Sequence, residues 1–339
     1  MVYTLKNKTV LITGGTGSLG TELLFRLLKE CDPPEKIIIF SRDELKQHNL
    51  RVQYLNRSVV TDEIIYNNFK DIVSFRVGDL RDYHSVVNVL KDINVVFNTA
   101  AIKQVPVAEY NPMEAIKTNI LAVHNMITAI SEFNLPVETF VGISTDKACK
   151  PINVYGMTKA LMERLVISAN LNSKTRYVLC RYGNIVASRG SVIPLFKEQV
   201  ATGKEVTLTT KDMTRFMMNL THAVDTVFAT YQYANRGEIY IPKVKSARIE
   251  DVALAVIGNK NIPIRVVGIR PGEKIHEVLI SSEEMLNVKD IGEYYIIHPA
   301  LPELHQFEPS GNGDKEYSSD SDIMNLKEVC ELLGREKLL

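Results

Sequence analysis

Tyr155 and Lys159 stand four residues apart in NVYGMTKALMERL, at the start of a segment whose apolar spacing predicts a helix, so both side chains fall on one face. A phenol titrates near ~10 and is a poor base at neutral pH. An ammonium beside it favours the phenolate. Such a pair suits removal of a hydroxyl proton. Just upstream, Ser144-Thr145-Asp146-Lys147 supplies a hydroxyl, a carboxyl and an amine in succession. Oxidation of an alcohol needs only a hydroxyl and the Tyr/Lys pair. A further acid and base suit an elimination, in which one group takes a carbon-bound proton and another protonates departing water. The plainer reading is an Asp146–Lys147 pair on the surface.

Groups of this kind need a scaffold that brings them to one edge. KTVLIT (8–13) predicts a buried strand, TELLFRLLKE (21–30) an amphipathic helix and KIIIF (36–40) a second strand. SFRVGD (74–79), NVVFNTAA (94–101), ETFVGIST (138–145) and the start of TRYVLCRYGN (175–184) predict four more, separated by helical segments that include one long helix around 112–133. This alternation implies an α/β fold, a Rossmann-type doubly wound parallel sheet, with Ser144–Lys147 at the end of its fifth strand. Beyond Asn184 the alternation fails. A helix is expected in SVIPLFKEQVATGK, short irregular elements at LTT and MTRFMM, and a helix in HAVDTVFATYQYA. IRVVGIRPGEKIHEVLI reads as strand, turn at Pro271-Gly272, then helix with His276 on its surface. The stretch 309–322 reads as loop, and a last helix lies near 325–333. The expected organisation is a dinucleotide-binding domain over 1–184, with segments of about 219–250 returning to it, and a smaller substrate-binding lobe formed mainly by 185–339.

TGGTGSLG (13–20) follows the first strand and opens the first helix. Gly15-x-Gly17-x-x-Gly20, extended by Gly14, fits the dinucleotide fingerprint: a tight turn, close backbone approach to a pyrophosphate, and close helix–strand packing. The phosphates would sit on N–H groups of the helix N-terminus. An oxidised nicotinamide adds a second positive charge beside Tyr155. The second strand ends in Phe40-Ser41-Arg42-Asp43, where NAD-binding chains place an acidic residue for the ribose 2′-OH. A guanidinium offers a forked partner for a 2′-phosphate, so NADP is favoured over NAD. In the other reading Arg42 stacks on adenine and Asp43 takes the ribose. Asp79 and Leu80, after the third strand, are candidates to flank the adenine.

TGGTGSLG, SRDELKQ, STDK…PINVYGMTK, RYGNIVASRGSVIPLF, MTRFMM and GIRPGEKIHE follow one another in order. Over essentially the whole chain they resemble the extended short-chain dehydrogenase/reductase superfamily. Within it they are similar to the UDP-N-acetylglucosamine 4,6-dehydratases of bacterial polysaccharide and flagellin-sugar pathways. The resemblance implies that Tyr155 removes the C4 hydroxyl proton as hydride passes to NADP, and that Lys159 supports it. It further implies that Thr145 hydrogen-bonds the C4 oxygen, Lys147 takes the C5 proton and Asp146 protonates the leaving C6 hydroxyl, with inversion at C5. It adds Thr13, Thr16, Ser18, Leu19, Lys46, Ala100, Ala101 and Lys103 to the cofactor contacts. On the substrate side it implies Lys103, Asn184, Arg189, Ser191, Arg270 and Glu273 around the uridine diphosphate, with Thr214 and Arg215 as possible walls of the sugar pocket. Arginines suit bidentate phosphate contacts, although each also reads as an ordinary surface residue. The alternatives are a UDP-sugar 4-epimerase or 4-reductase, and a nucleotide-sensing protein without turnover.

The bulk properties agree with an ordinary globular enzyme. The 339 residues include 40 basic and 40 acidic side chains and no long apolar run, which argues against a nucleic-acid partner or membrane insertion. Four scattered cysteines and seven scattered histidines lack metal-ligand or disulfide spacing, so no metal is expected and a reducing cytoplasm fits. The apolar long helix around 115–130 permits a homo-oligomer.

Overall fold

The computed structural model describes residues 4–29, 33–56, 60, 62–186, 192–305 and 315–339. Six strands in the first half form as the β-branched runs predict: β1 (Thr9–Thr13), β2 (Lys36–Ser41), β3 (Val73–Val77), β4 (Val95–Asn98), β5 (Thr139–Thr145) and β6 (Arg176–Tyr182). Their cores are continuous apolar stretches rather than alternating ones: Val10–Ile12, Ile37–Ile39, Val95–Phe97 and Val178–Cys180 are all essentially inaccessible to solvent. A sheet covered on both faces requires that. The helix α1 (Ser18–Leu28) supplies part of the cover by burying Leu23, Leu24, Leu27 and Leu28.

The strand order is β3-β2-β1-β4-β5-β6, then Ile239–Pro242, Tyr294–Ile297 and Val288–Asp290, nine described strands in all. Pairing is parallel through Ile239–Pro242, and the last two pairings are antiparallel because Tyr294–Ile297 alone runs against the rest. The order reverses between β1 and β4, which opens the crevice where open α/β sheets hold ligands. The strands 288–290 and 294–297 therefore complete the large sheet, although they come from the half read as a separate lobe.

A second apolar cluster gathers Ile193 and Phe196 of the helix Val192–Ala201, Val252 and Ala253 of the helix Ile249–Ile257, and Val329 and Leu333 of the helix Leu326–Arg335. Met213, Met217 and Met218 are buried, as packing residues should be. MTRFMM is a regular strand, Thr214–Met218, rather than an irregular piece.

Two readings of the sequence are corrected by the structure. Residues 273–277 are not helical, and Val278–Ile280 is a strand paired with Tyr317–Ser318, inside the stretch read as loop. The carbonyls of Lys274 and Ile275, which a helix would need, accept instead from the Arg215 guanidinium. The expected long helix over 112–133 is interrupted by a π-turn at Lys117–Leu121. Among the described residues no helix is long and apolar enough to cross a membrane.

Candidate active site

At the reversal point Thr13 Oγ1 donates to Asn98 Oδ1 at 2.7 Å, tying the end of β1 to the end of β4. The glycine turn then packs back on itself. A Cβ on Gly20 would lie 2.5 Å from Gly15 Cα, so α1 can approach the strand end this closely only with glycine there. Gly17, the residue before α1, provides no side-chain cap, which leaves the N–H groups of the first turn for an anion. A bare helix N-terminus behind a turn without side chains fits a dinucleotide pyrophosphate. Gly14, Gly17, Ser18 and Leu19 line a cavity of about 670 Å³ together with Ala100, Ala101 and Lys103. Thr13, Gly15, Thr16 and Gly20 belong to the same turn without lining it.

The candidates for the adenosine end sit at the tips of β2 and β3, outside this cavity. The Ser41 hydroxyl accepts from Gln47 Nε2 at 3.0 Å. Arg42 is half exposed, with Nη1 3.7 Å from Asp79 Oδ2. Asp43 caps the helix Glu44–Leu55 through the N–H of Lys46 and pairs with the Lys46 ammonium at 2.6 Å. Asp79 is gripped by Arg81. Leu80 is buried in the main core.

The catalytic candidates converge on the same cavity: Ser144, Thr145, Asp146, Lys147, Tyr155 and Lys159 all line it. β5 delivers Ser144 and Thr145, and the 3-10 turn Asp146–Ala148 that follows it delivers Asp146 and Lys147. Tyr155 and Lys159 come from the helix Val154–Ser168, whose N-cap Asn153 accepts from the Gly156 N–H at 2.8 Å. Gly156 lets that helix lie directly on the loop, since a Cβ there would sit 2.2 Å from the Lys147 carbonyl oxygen. Thr145 Oγ1 donates to Asp146 Oδ1 at 3.0 Å, and Lys147 Nζ donates to the same oxygen at 3.0 Å. Lys147 Nζ also lies 3.2 Å from Glu277 Oε1.

The charges differ from the simplest expectation. Burial pushes the Tyr155 phenol up to about 12, against a Thr145 hydrogen bond and the Lys147 charge, so the cation acting on it here is Lys147 rather than Lys159. Burial pushes Lys159 down to about 8, partly offset by Glu163. Burial would lower Lys147 as well, but the Asp146 and Glu277 carboxylates hold it well above the usual lysine range.

On the substrate side, Lys103, Asn184, Arg270 and Glu273 line the cavity. Among the described residues the buried Asn184 Oδ1 has no partner. The turn bearing Arg270 and Glu273 is fastened to the start of the helix Val154–Ser168, because Asn153 Nδ2 donates to the Gly272 carbonyl at 2.8 Å. Arg189 and Ser191 lie outside the described residues. Thr214 and Arg215 do not wall the pocket. The Thr214 hydroxyl is engaged by His276 Nδ1 and Ser319 Oγ, and the Arg215 guanidinium by the carbonyls of Thr214, Lys274 and Ile275.

Sequence reasoning missed several residues. Asn153 carried a readable signal, being a preferred N-cap type just before the helix. Asn119 did not. The π-turn directs it inward, where it exchanges hydrogen bonds with both backbone groups of Ile102 and donates to Thr158 Oγ1. Glu277, Glu163 and Arg181 look like ordinary charges in their own segments, and their partners become visible only once the chain is folded.

The family described as "Polysaccharide biosynthesis protein" matches residues 10–299. The chain belongs to that family. It is 43% identical to the UDP-glucose 4-epimerase of Rickettsia bellii, over 96% of this chain and 95% of that protein. Among solved structures it resembles Pen from Bacillus thuringiensis, at 32% identity and a TM-score of 0.85, covering 98% of this chain and all of that one. The dTDP-glucose 4,6-dehydratase DesIV from Streptomyces venezuelae superposes with a TM-score of 0.67 over 79% of this chain and 86% of that one, at 17% identity, a likeness of fold alone. The family member described here thus has the Rossmann-type architecture of the extended short-chain dehydrogenases/reductases.

Proposed function

We propose that the protein is an NADP-dependent UDP-N-acetylglucosamine 4,6-dehydratase. One observation supports this reading above the others: a carboxyl and an amine beyond the Tyr/Lys pair, Asp146 and Lys147, line the same cavity and lie in hydrogen-bond contact at 3.0 Å. An epimerase or reductase has no task for them.

NADP is supported by Arg42 at the tip of β2 and by the engagement of Asp43, whose carboxylate already caps a helix and pairs with Lys46. The glycine turn and the N-terminus of α1 would hold its pyrophosphate, and Ala100, Ala101 and Lys159 would face its nicotinamide half. When bound, the cofactor would supply a hydride acceptor for oxidation at C4 and a hydride donor for reduction at C6. Tyr155 would accept the C4 hydroxyl proton as the phenolate that the positive charge of the bound, oxidised cofactor favours against burial, and Thr145 would steady the C4 oxygen. The ketone at C4 acidifies the C5 proton. Lys147 and Asp146 enter the next step with one proton moved between them across their contact, as neutral amine and carboxylic acid. The amine removes the C5 proton and the acid protonates the leaving C6 hydroxyl. Lys103, Asn184, Arg270 and Glu273 would hold the uridine diphosphate.

Incubation of purified protein with UDP-N-acetylglucosamine in deuterated water, without added reductant, tests this by NMR. A 4-keto-6-deoxy product with deuterium at C5 is expected, and its ring couplings report whether C5 inverts as the family resemblance implies. Absence of that product removes the dehydratase reading. A second reading, UDP-sugar 4-epimerase, is favoured by the name of the relatives at 43% identity. The double variant Asp146→Asn, Lys147→Ala separates the two: dehydration should fall by roughly 10²-fold or more, whereas epimerisation should keep most of its rate.

A further inference from the structure

Lys147 is held from two sides, and only one of its partners has a place in the chemistry above. Asp146 precedes it in the turn just after β5. Glu277 reaches it from far along the chain, its backbone fixed by Ser319: its N–H donates to Ser319 Oγ at 2.9 Å, and its carbonyl accepts from the Ser319 N–H at 2.8 Å. Its side chain is only 3% exposed, a costly location for a carboxylate. A carboxylate buried for architecture would be expected to use both oxygens. Here Oε1 meets Lys147 at 3.2 Å and stands 3.9 Å from Arg215 Nε, beyond hydrogen-bond reach. Oε2 has no partner among the described residues, and neither does Asp146 Oδ2. The remaining N–H groups of Arg215 face backbone carbonyls. The charged or titratable groups around Lys147 are thus Asp146, Glu277 and Tyr155 on one side of the balance, and Arg215 and Lys274 on the other.

We propose that Glu277 is a positioning residue of the elimination: it aims the Lys147 amine and remains the compensating anion while a proton moves between Lys147 and Asp146. This rests on the dehydratase reading. One Nζ proton crosses to Asp146, leaving a neutral amine beside a carboxylic acid. The amine takes the proton from C5, and the C5–H electron pair becomes the C5–C6 double bond. The C6–O bond breaks, and the Asp146 proton leaves with the hydroxyl as water. Lys147 ends as ammonium and Asp146 as carboxylate. Glu277 stays negative throughout: it opposes loss of the Nζ proton and favours its return from C5 equally, so what it adds to the rate is the aim of the amine.

The test compares full-length wild type, Glu277→Gln and Glu277→Asp, each with NADP and with UDP-N-acetylglucosamine or its C5-deuterated form. In Glu277→Gln, oxidation at C4 should persist, so the absorbance of reduced cofactor accumulates. Product should form roughly tenfold or more slowly, with a larger C5 deuterium isotope effect. Glu277→Asp should recover part of the rate. In the protein without substrate, the Lys147 ammonium should titrate at lower pH in Glu277→Gln, followed by NMR of the lysine side chains. The proposal is overturned if Glu277→Gln forms product within about twofold of wild type with an unchanged isotope effect. It is equally overturned if both variants, still folded, lose oxidation and elimination in parallel. Failure of the dehydratase reading looks different, since wild type itself would then give no 4-keto-6-deoxy sugar.

Discussion

Two lysines line one cavity with a phenol here, and burial lowers both, but only one is compensated. Lys147 keeps its charge because two carboxylates touch it, whereas Lys159, 4% exposed, is pushed down to about 8 by desolvation with only Glu163 opposing. Because the folded protein binds the Lys159 proton less tightly than the unfolded chain, its destabilising effect is complete below pH 8. The effect fades as pH rises from there toward the ordinary lysine value of 10.5. Lys159→Met should therefore raise Tm by a few degrees at pH 7, and the advantage should shrink by pH 10, while turnover is lost. Thermal melts at the two pH values check both halves. At this scale the sequence was most legible where spacing alone defines geometry: a separation of four puts Tyr155 and Lys159 on one helix face, and adjacency puts Asp146 beside Lys147. It was silent on Glu277, since no local pattern says that a glutamate far along the chain will end 3.2 Å from Lys147.

Among the elements, the strands were legible because two-sided burial demands uninterrupted runs such as Leu11-Ile12 and Ile37-Ile38-Ile39. The segment 273–280 misled because Ile275, Val278 and Leu279 imitate a helical stripe, while the side chain that decides its conformation, Arg215, lies some sixty positions upstream. The π-turn at Lys117–Leu121 was equally invisible, as the partner that its Asn119 meets, Ile102, lies across the loop rather than in the helix. The turn before α1 allows a sharp prediction. In Gly20→Ala the new methyl would sit 2.5 Å from the Gly15 backbone. The helix must shift, at a cost of about 1–3 kcal/mol. Affinity for NADP, measured by calorimetry, should fall by roughly tenfold or more, that is about 1.4 kcal/mol or more.

At the scale of the molecule, one buried cation joins parts that the sequence reading kept separate. Arg181 on β6, 1% exposed, donates to both oxygens of Glu163 on the helix Val154–Ser168, to both oxygens of Glu284, and to the Leu279 carbonyl. Glu163 in turn accepts from Ser144 at the end of β5. Arg181→Met would leave two carboxylates without their cation, costing about 3–5 kcal/mol of stability, readable as a lower denaturant midpoint. Restoring neutrality with Glu163→Gln and Glu284→Gln in the same chain should return part of it. The first half of the sheet was foreseen from its alternating elements. Its completion by 288–290 and 294–297 was not, because short antiparallel edge strands leave little periodicity to detect.

The hydrogen bond from Asn153 to the Gly272 carbonyl has a consequence for molecular recognition. The same amide starts the helix that carries the reacting phenol and anchors the bend that presents Arg270, so the two ends of the cleft are set at a fixed separation. Such a cleft works as a gauge of length. Under the proposed dehydratase reading, a sugar carried on a single phosphate would occupy either end without spanning both, and reach would exclude it before any hydroxyl on its ring was inspected.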